Sequence, residues 1–350
     1  MHILNSVYGD ATGGRWNATL KTGELLAQRG HRVTFLIAPE DAGKLPDYTG
    51  TNIDVVTLRN SGHYDLIASW KVWCLIRERK IDVIVAHSGR AIHMLKRAAP
   101  AGVPVVAFNH SHNIKRTLKA DAFFCITPYM KQIVDAAIGG AKPAYVISNA
   151  VSIPEEAQVE RPDNPVFTVG AMARMAPNKG VSDLVEALGL LSREGVPFRA
   201  VIAGDGEIRA ALEARIADLE LQDRVRFPGW IDAEQKHAFY READVICFTS
   251  EWDVQPLVIL ESFAWGKALI GTDVPGPSSC YTHEDNALVV PPKNPRALAE
   301  ALSRLARDPV LREALGRRAR AYAIANYADD VIGAALEKHL RLLIERMSLT

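Results

Sequence analysis

Short apolar segments alternate with helical patterns along the whole chain, and this alternation constrains the fold more than any other feature. Most of the segments are continuous and rich in Val and Ile, which is typical of parallel strands covered on both faces. Helical patterns such as "NATLKTGELLAQRG", which ends at Gly30, lie between them. The alternation predicts a doubly wound α/β fold. The strand segments are HIL, HRVTFLIA, NIDVVTL, IDVIVAH, VPVVAFN, AFFCIT, AYVIS, VFTVGAM, FRAVIAG, VRFPG, DVICFTS, ALIGT and ALVVP.

The segment SIPEEAQVERPDNP, residues 152–165, is polar, contains prolines and has no period, which is typical of a connection between domains. We therefore predict two Rossmann-like domains, at residues 1–155 and 156–325, that face each other across a cleft. Ligands of such sheets bind beyond the C-terminal ends of the strands, so the site is expected in the cleft. A helix within residues 326–350 is expected to pack back toward the first domain.

The formal net charge of zero hides an asymmetry between the two parts of the chain. Residues 1–150 hold 18 Lys and Arg against 11 Asp and Glu, and residues 61–120 hold 10 against 3. A basic first domain favours an anionic partner, such as phosphate groups or an acidic membrane surface. A solvated basic face is the alternative interpretation.

Compartment is indicated by the cysteines and by the apolar segments. The four cysteines lie far apart without metal or redox spacing, so buried free thiols in a reducing compartment are expected. The first strand follows no export signal, and no apolar stretch reaches the ~18 residues of a membrane span. We expect a cytoplasmic protein without a nucleic-acid partner, and a peripheral position on the cytoplasmic membrane face is a further expectation.

Two loops resemble phosphate-binding turns. Arg174 and Lys179 lie between a strand that ends near Gly170 and the helix that follows it. Two cations at a helix N-terminus are well placed for a diphosphate, although two solvent-facing basic residues fit the same pattern. Gly13 and Gly14 lie at a turn after the first strand, where missing side chains let a ligand approach the backbone. A plain turn is the alternative there, because the dinucleotide fingerprint is absent.

Histidines cluster behind strand ends. His87 follows one predicted strand, and His110 and His112 follow the next. Because ends of parallel strands point toward the ligand site, these imidazoles are expected to line it. A structural role is the alternative for each, and a zinc site lacks further ligands to complete it.

Two carboxylates attract attention in the segment SEWDVQPLVILESFAWG. Pro256 suits the first turn of a helix and Gly266 its end, which places Glu261 on the apolar stripe of that helix. A carboxylate there matches the two hydroxyl donors of a ribose, and Asp253 in the preceding loop would lie near a transferred sugar. Alternatively, Glu261 pairs with an internal Arg and Asp253 caps the helix.

The order of these motifs resembles the retaining glycosyltransferases of family 4, also called group 1, which have the GT-B fold. The segments that carry the resemblance are the Gly-Gly loop, the strand-end histidines, SNAVSIP, GAMARMAPNKG, AGDGEIRAALEARIADLELQDRVRFPGW and DVQPLVILESFAWG. The similarity covers nearly the whole chain and is strongest from about residue 165 to 276.

The resemblance implies a role for each residue above. The family's basic pair for the donor diphosphate falls on Arg174 and Lys179, and its acidic pair falls on Asp253, at the donor sugar, and Glu261, at the ribose. His110 is the best match to its sugar-contacting histidine, with His87 as a second candidate. The predicted catalytic residues are His110, Asp253, Arg174 and Lys179. The predicted donor-binding residues are Gly13, Gly14, Gly170, Arg174, Lys179, Gly229, Trp230, Asp253, Pro256, Leu257 and Glu261. The acceptor candidates are His87, His112, Arg15, Lys115 and Arg116.

The sequence departs from the family pattern at three places. Asp253 stands where the family has glutamate, with Glu251 close enough to compensate, and Ala150 stands where it has the glycine of Asn-Gly-Val. The segment DVPGPSSCYTHEDNALVV keeps fragments of a glycine-rich loop. These departures leave open a catalytically weak nucleotide-sugar binding protein. A sugar-nucleotide epimerase or phosphorylase on the same fold is a separate alternative.

A departing diphosphate needs positive charge more than it needs a proton donor. The sequence has no Asp-x-Asp motif of the kind that holds a metal in many glycosyltransferases, and the basic pair offers the charge instead. We therefore predict metal-independent transfer from a UDP- or GDP-linked sugar without a cofactor, and the family implies retention of anomeric configuration.

The acceptor is expected to be a glycan or a lipid-linked glycan, in cell-envelope polysaccharide or lipopolysaccharide biosynthesis. The segment DLIASWKVWCLIRERK, residues 65–80, contains Trp70 and Trp73 and has a basic end. It suits a helix that lies on an anionic membrane surface, and a core helix with a basic tail is the alternative.

Overall fold

The computed structural model describes residues 1–9, 13–159 and 166–348. These residues form two compact units. Unit 1 comprises Met1–Ala150 and Asp329–Thr350, and unit 2 comprises Val151–Ala328. The sequence predicted the two boundaries at 155/156 and 325/326, and the predicted connection lies partly outside the described residues.

Unit 1 is built on a parallel sheet. Its strands are β1 (His2–Ser6), β2 (Arg32–Ile37), β3 (Ile53–Thr57), β4 (Val83–Ala86), β5 (Val105–Asn109), β6 (Ala122–Cys125) and β7 (Ala144–Val146). They pair in the order β3-β2-β1-β4-β5-β6-β7, with every neighbour parallel. The strand order therefore reverses between β1 and β4.

The helices of unit 1 are α1 (Gly13–Gln28), α2 (Leu66–Arg79), α3 (Gly89–Ala98), α4 (Pro128–Ile138) and α12 (Asp329–Ser348). Three of them begin at a polar side chain that accepts a hydrogen bond from the third residue beyond it. These N-cap residues are Asp65, Ser88 and Thr127. The caps satisfy backbone N–H groups that a helix start leaves unpaired.

Unit 2 is built on a second parallel sheet. Its strands are β8 (Phe167–Met172), β9 (Phe198–Ala203), β10 (Val225–Gly229), β11 (Val245–Phe248), β12 (Ala268–Thr272) and β13 (Leu288–Val290). They pair in the order β10-β9-β8-β11-β12-β13. Its helices are α5 (Glu156–Val159), α6 (Val181–Arg193), α7 (Arg209–Asp218), α8 (Ala233–Glu242), α9 (Leu257–Ala264), α10 (Pro295–Arg307) and α11 (Pro309–Asn326).

The core of unit 2 lies on both faces of its sheet, which explains why its strands are continuously apolar. Along β11, Val245 and Cys247 belong to a cluster that includes residues of α6 and α10. Ile246 and Phe248 belong to a second cluster, with residues of α8, α9 and α11. Successive side chains of a strand point to opposite faces, so a strand covered on both sides has no polar position.

The prediction of an α/β fold with two doubly wound domains is confirmed, and each strand segment named from the sequence contains a strand. In unit 1, α12 packs against α1, and two ion pairs join α12 to α1 and to the residue that follows α1. The Lys21 ammonium lies 2.7 Å from the Asp329 carboxylate, and the Arg29 guanidinium lies 2.6 Å from that of Glu337.

All four cysteines are free, with Cys74 half-buried and the other three buried. Among the described residues, no helix combines the length and the apolar character that crossing a bilayer requires.

Candidate functional site

The sheet of unit 2 reverses its strand order between β8 and β11, which is where ligands of open α/β sheets bind. The loop after β8 carries Lys179, and the loop after β11 carries Asp253. The Lys179 ammonium lies 2.6 Å from the Asp253 carboxylate, and the two side chains are 19% and 24% exposed. The reversal point of this sheet therefore holds a half-buried ion pair.

Asp253 does not cap the following helix, as one sequence interpretation had it. Its second carboxylate oxygen accepts a hydrogen bond from the backbone N–H of Val254, at 2.8 Å. The N-cap of α9 is Pro256, which provides no side-chain hydrogen bond. Asp253 is therefore aimed at Lys179 by its own loop.

The two loops pack against each other through their backbones. The Thr249 hydroxyl donates to the Lys179 carbonyl at 2.9 Å, and the backbone N–H of Glu251 donates to the Asn178 carbonyl at 3.0 Å. Gly180 has a φ of +63°, and a Cβ there would lie 2.0 Å from the Thr249 carbonyl oxygen. The residue that follows Lys179 must therefore be a glycine for the loops to meet.

Arg174 lies in the same β8–α6 loop and is exposed. Within the described ranges, its guanidinium forms no ion pair or hydrogen bond. The adjacent backbone is held in place, because Cβ atoms at Gly204 and Gly206 would lie 1.9 and 2.4 Å from the carbonyl oxygens of Ala173 and Met175. A rigid loop therefore presents an uncompensated guanidinium close in sequence to the ion pair.

Glu261 in α9 is held by two side chains of α8. Its carboxylate lies 2.8 Å from the Lys236 ammonium and accepts a hydrogen bond from the Tyr240 hydroxyl, also at 2.8 Å. Burial and the neighbouring carboxylate raise the pKa of Tyr240 well above its usual value, so this hydroxyl stays protonated and donates. The partners of Glu261 are therefore a lysine and a tyrosine, and the alternative interpretation, an ion pair with an internal arginine, is wrong.

The sequence analysis missed Lys236 and Tyr240. They are four residues apart, so they lie one turn apart on the same face of α8. That spacing was visible, but nothing in the sequence joined α8 to α9.

The other donor candidates in unit 2 take different positions. Gly170 lies inside β8, where a Cβ would come within 3 Å of Ile246 and Phe239, so packing accounts for this glycine. Gly229 ends β10 with a φ of +78°, and the following Trp230 is 66% exposed. The last two candidates, Pro256 and Leu257, form the N-terminus of α9.

The sheet of unit 1 also has a cavity where its strand order reverses, between β1 and β4. The cavity has a volume of about 380 Å³, and its lining includes His87, His110, Arg15 and Arg116. Of the remaining acceptor candidates, His112 packs edge-on against the ring of Tyr129, and Lys115 is exposed; they do not belong to the described lining.

Gly13 and Gly14 begin α1, the helix that follows β1. Both are exposed, Gly13 has a φ of +67°, and a Cβ at either position would meet no atom of the described residues within 4 Å. The three residues before Gly13 lie outside the described part of the chain.

His87 and His110 are joined to each other and to the sheet. His87 Nδ1 lies 2.9 Å from His110 Nε2, and His87 Nε2 lies 2.9 Å from Asn5 Oδ1. Burial, assisted by the positive charge of Arg15, lowers the pKa of His110 to about 3 and that of His87 well below its usual value. Both imidazoles are therefore neutral at neutral pH.

His87 is 3% exposed, and both of its ring nitrogens are hydrogen-bonded. Neither ring nitrogen of His87 is left to bind an acceptor substrate. The geometry therefore indicates that His87 supports the ring of His110. Asn5, in β1, was missed by the sequence analysis because a buried asparagine within a strand carries no motif.

A second cavity of about 820 Å³ adjoins the first, since both are lined by Tyr8, Gly9 and Arg90. Its further lining includes Arg59 and Glu40. Unit 1 therefore has a second cavity with charged lining residues next to the cavity that contains the two histidines. Over the described residues, His, Cys, Asp and Glu side chains form no group of three or more that could hold a metal ion.

Two family models match the chain. The model described as Glycosyltransferase Family 4 matches residues 12–154, and the model described as Glycosyl transferases group 1 matches residues 152–322. The two matches meet at the boundary between unit 1 and unit 2.

Several known proteins are similar to the chain over most of its length. The lipopolysaccharide core biosynthesis glycosyltransferase LpsD of Rhizobium meliloti (strain 1021) is 28% identical over 319 residues, which are 90% of this chain and 91% of LpsD. The lipopolysaccharide core biosynthesis glycosyltransferase LpsE of the same strain is 28% identical over 92% of this chain and 93% of LpsE. The crystal structure of Anabaena Alr3699/HepE in complex with UDP has a TM-score of 0.81 at 19% identity, over 98% of this chain and 100% of that chain. At that identity the likeness shows the fold.

Proposed function

Because the chain belongs to the group 1 glycosyltransferases of family 4, with the GT-B fold, we propose that it transfers a sugar from a nucleotide-diphosphate donor to a hydroxyl of a glycan or lipid-linked acceptor. LpsD and LpsE are lipopolysaccharide core biosynthesis enzymes, and their similarity over nine-tenths of both chains supports a role of this chain in cell-envelope polysaccharide or lipopolysaccharide synthesis. HepE has been crystallised with UDP and with UDP-glucose, which supports a nucleotide sugar as the donor.

The observation that carries the proposal is the cationic loop at the strand reversal of unit 2. Lys179 is held there by Asp253, and the Arg174 guanidinium in the same loop has no partner in the described ranges. Preorganised cations stabilise the charge that develops on a departing diphosphate, and they do so without reorganisation during the reaction. We assign both side chains to the donor diphosphate and Asp253 to the donor sugar.

Glu261 is assigned to the ribose of the donor. A carboxylate has about four acceptor sites on its two oxygens, and Lys236 and Tyr240 occupy one site on each. As far as the described residues go, one acceptor site on each oxygen is left for the two ribose hydroxyls. The two partners on α8 also fix the orientation of the carboxylate, so its ordering is complete before the donor binds.

We further propose that the reaction retains anomeric configuration and needs no metal ion. In this mechanism the leaving phosphate oxygen takes the proton of the incoming hydroxyl, which attacks from the same face of the sugar. Arg174 and Lys179 supply the positive charge that a metal would otherwise supply. His110 would accept a hydrogen bond from a sugar hydroxyl.

Incubation with UDP- and GDP-linked sugars in EDTA, with and without a bacterial lipopolysaccharide core acceptor, tests the proposal. We expect one donor to raise the melting temperature and to be consumed, because a ligand that binds the folded state stabilises it. Arg174→Met should reduce this shift. Arg199→Met is the matched control, since Arg199 is an exposed arginine near the N-terminal end of β9, whereas the proposed site lies beyond the C-terminal ends of the strands. Absence of any shift and any turnover would refute the proposed activity, whereas acceptor-independent isomerisation of the donor would indicate an epimerase.

We also propose that unit 1 docks on an anionic membrane surface through the outer face of α2. Leu66, Ile67 and Trp70 are 68%, 72% and 63% exposed there. Trp73 continues the face, and the guanidinium of Arg77 lies 4.8 Å from the centre of its ring. Apolar side chains on an amphipathic helix with basic residues at its end suit the boundary between headgroups and acyl chains. The inner face of α2 is packed, as the core-helix interpretation has it, and the proposed docking surface is its outer face.

Sedimentation with vesicles tests this docking. Wild-type protein should bind vesicles that contain phosphatidylglycerol better than vesicles of phosphatidylcholine, and Leu66→Ser/Trp70→Ser should lower that binding by on the order of tenfold or more. Val310→Ser is the control, because Val310 is a lone valine on α11 with 74% exposure. Equal vesicle binding by the double variant and wild type would contradict the proposal. So would a concentration-dependent dimer that the double variant loses, since α2 would then bind a second copy.

A further inference from the structure

A chain of hydrogen bonds leads from the buried face of α1 to His110 in the cavity of unit 1. The amide nitrogen of Asn5 donates to the carbonyl of Thr19 at 2.8 Å. Because a carbonyl oxygen only accepts, this bond fixes which way the Asn5 amide is turned. Its oxygen therefore faces His87 Nε2, at 2.9 Å, and this nitrogen must carry the proton.

The proton positions of the two histidines follow from that start. A neutral imidazole carries one N–H, so protonation of His87 Nε2 leaves His87 Nδ1 as an acceptor. The nitrogen 2.9 Å away is His110 Nε2, which must then be the donor. His110 Nδ1 is left with a lone pair, and it has no hydrogen-bond partner among the described residues. The ring lies in the lining of the cavity.

We infer that Asn5 and His87 are positioning residues that hold His110 as the Nε2–H tautomer, so that His110 Nδ1 accepts a hydrogen bond from a sugar hydroxyl. This inference rests on the proposed function for the identity of the ligand. Neither Asn5, which is fully buried, nor His87 touches the substrate; they act through the ring of His110. With the opposite tautomer, His110 would present an N–H, which suits a carbonyl or an anion but leaves a hydroxyl without its acceptor.

The supporting bonds come from neighbouring strands, which makes the arrangement rigid. Asn5 lies in β1, and His87 and His110 directly follow β4 and β5; these three strands are adjacent in the sheet. The planes of the His87 and His110 rings lie within 14° of each other and their centroids are 5.2 Å apart, as expected for two rings joined edge to edge by this hydrogen bond. A displaced His110 would leave the buried Nδ1 of His87 without its partner, which is costly.

The tautomer can be read without any substrate. In ¹⁵N-labelled wild-type protein at pH 7, long-range ¹H–¹⁵N correlation spectra should show His110 with a protonated Nε2 and a bare Nδ1. His87→Phe removes the acceptor for this proton, and a second population with protonated Nδ1 should appear. His87→Asn places an amide oxygen near the former Nδ1 position and should restore the wild-type tautomer.

Kinetics then connect the tautomer to the reaction. His87→Phe should lower kcat/KM for sugar transfer about tenfold, in line with one lost hydrogen bond to the substrate, and His87→Asn should recover most of it. Affinity for UDP alone should stay within about twofold, because the nucleotide is assigned to unit 2.

Two results would overturn the inference. One is a protonated Nδ1 or an imidazolium for His110 in the wild-type spectrum, which needs no variant and is decisive even if His87→Phe fails to fold. The other is an unchanged kcat/KM in a folded His87→Phe whose tautomer has shifted. A failure of the proposed function is distinguishable, because it would appear as an absence of donor binding and turnover by the wild-type protein while the tautomer remained as inferred.

Discussion

Neutral substitutions of the two members of the Lys179–Asp253 ion pair should have opposite effects on the affinity for UDP. Lys179→Met removes a cation that the proposed mechanism places on the donor diphosphate. In the wild-type protein the Lys179 ammonium lies 2.6 Å from the Asp253 carboxylate. Asp253→Asn removes this negative charge and leaves the ammonium without its carboxylate partner. UDP should therefore bind less tightly to the first variant and equally or more tightly to the second.

The magnitude follows from the burial of the pair. Both side chains are about four-fifths covered, so their charges are less screened than those of a surface pair. A hydrogen bond to a charged group is worth about 1.5–3 kcal/mol, and 1.4 kcal/mol is a factor of ten in affinity. Lys179→Met should therefore raise the Kd for UDP by about 10- to 100-fold, and Asp253→Asn should lower it by up to about tenfold.

Isothermal titration of UDP into each variant, in EDTA and at 0.15 M salt, measures both values. Arg199→Met again controls for the loss of a positive charge elsewhere on unit 2. The double variant gives the coupling energy of the two side chains. An unchanged Kd for Lys179→Met would refute the assignment of this side chain to the diphosphate. An equal loss of affinity in both single variants would show that the pair only maintains the loop.

Three further predictions concern the scaffold of these sites. Gly180→Ala should lower the free energy of unfolding in urea by about 3 kcal/mol or more, because an L-residue at a φ of +63° is strained and its Cβ would lie 2.0 Å from a backbone oxygen. Tyr240→Phe should cost about 1–3 kcal/mol in the same assay and weaken UDP binding several-fold, since Glu261 loses the hydroxyl that orients it. Acidification from pH 7 to pH 4 should destabilise the protein, because the pKa values of His87 and His110 are lowered in the folded state. Below about pH 6.5 the unfolded chain therefore binds more protons than the folded protein. In urea unfolding, each of the two groups should change the free energy of unfolding by at most about 1.4 kcal/mol per pH unit. A flat profile over this range would contradict neutral, buried imidazoles.

The sequence was informative about the donor site wherever a residue type stands at a recognisable place in a βα unit. Lys179 follows the first strand of unit 2, and Asp253 follows the strand that lies beside it after the reversal. Their positions in the loops followed from the strand pattern, but their contact with each other did not. The partners of Glu261 were missed for the same reason, because α8 and α9 are joined only in the folded chain.

In unit 1 the sequence placed His87 and His110 at neighbouring strand ends but gave them separate roles. The structure shows one hydrogen-bonded pair in which His87 is fully used by its neighbours. The hydrogen bonds of the two rings decide which of them can meet a ligand, and such contacts are not visible in the spacing of the residues along the chain.

The sequence by itself determined the strands, the helices and the division into two α/β domains, because apolar periodicity is a local property that each segment carries. The tertiary structure alone decided which polar groups meet. Lys179 and Asp253 are 74 residues apart, and Asn5 and His87 are 82 apart. Parallel strands bring such residues to one edge of a sheet only after the intervening helices have packed, so the protonation states and ion pairs of both sites arise from contacts that no short segment contains.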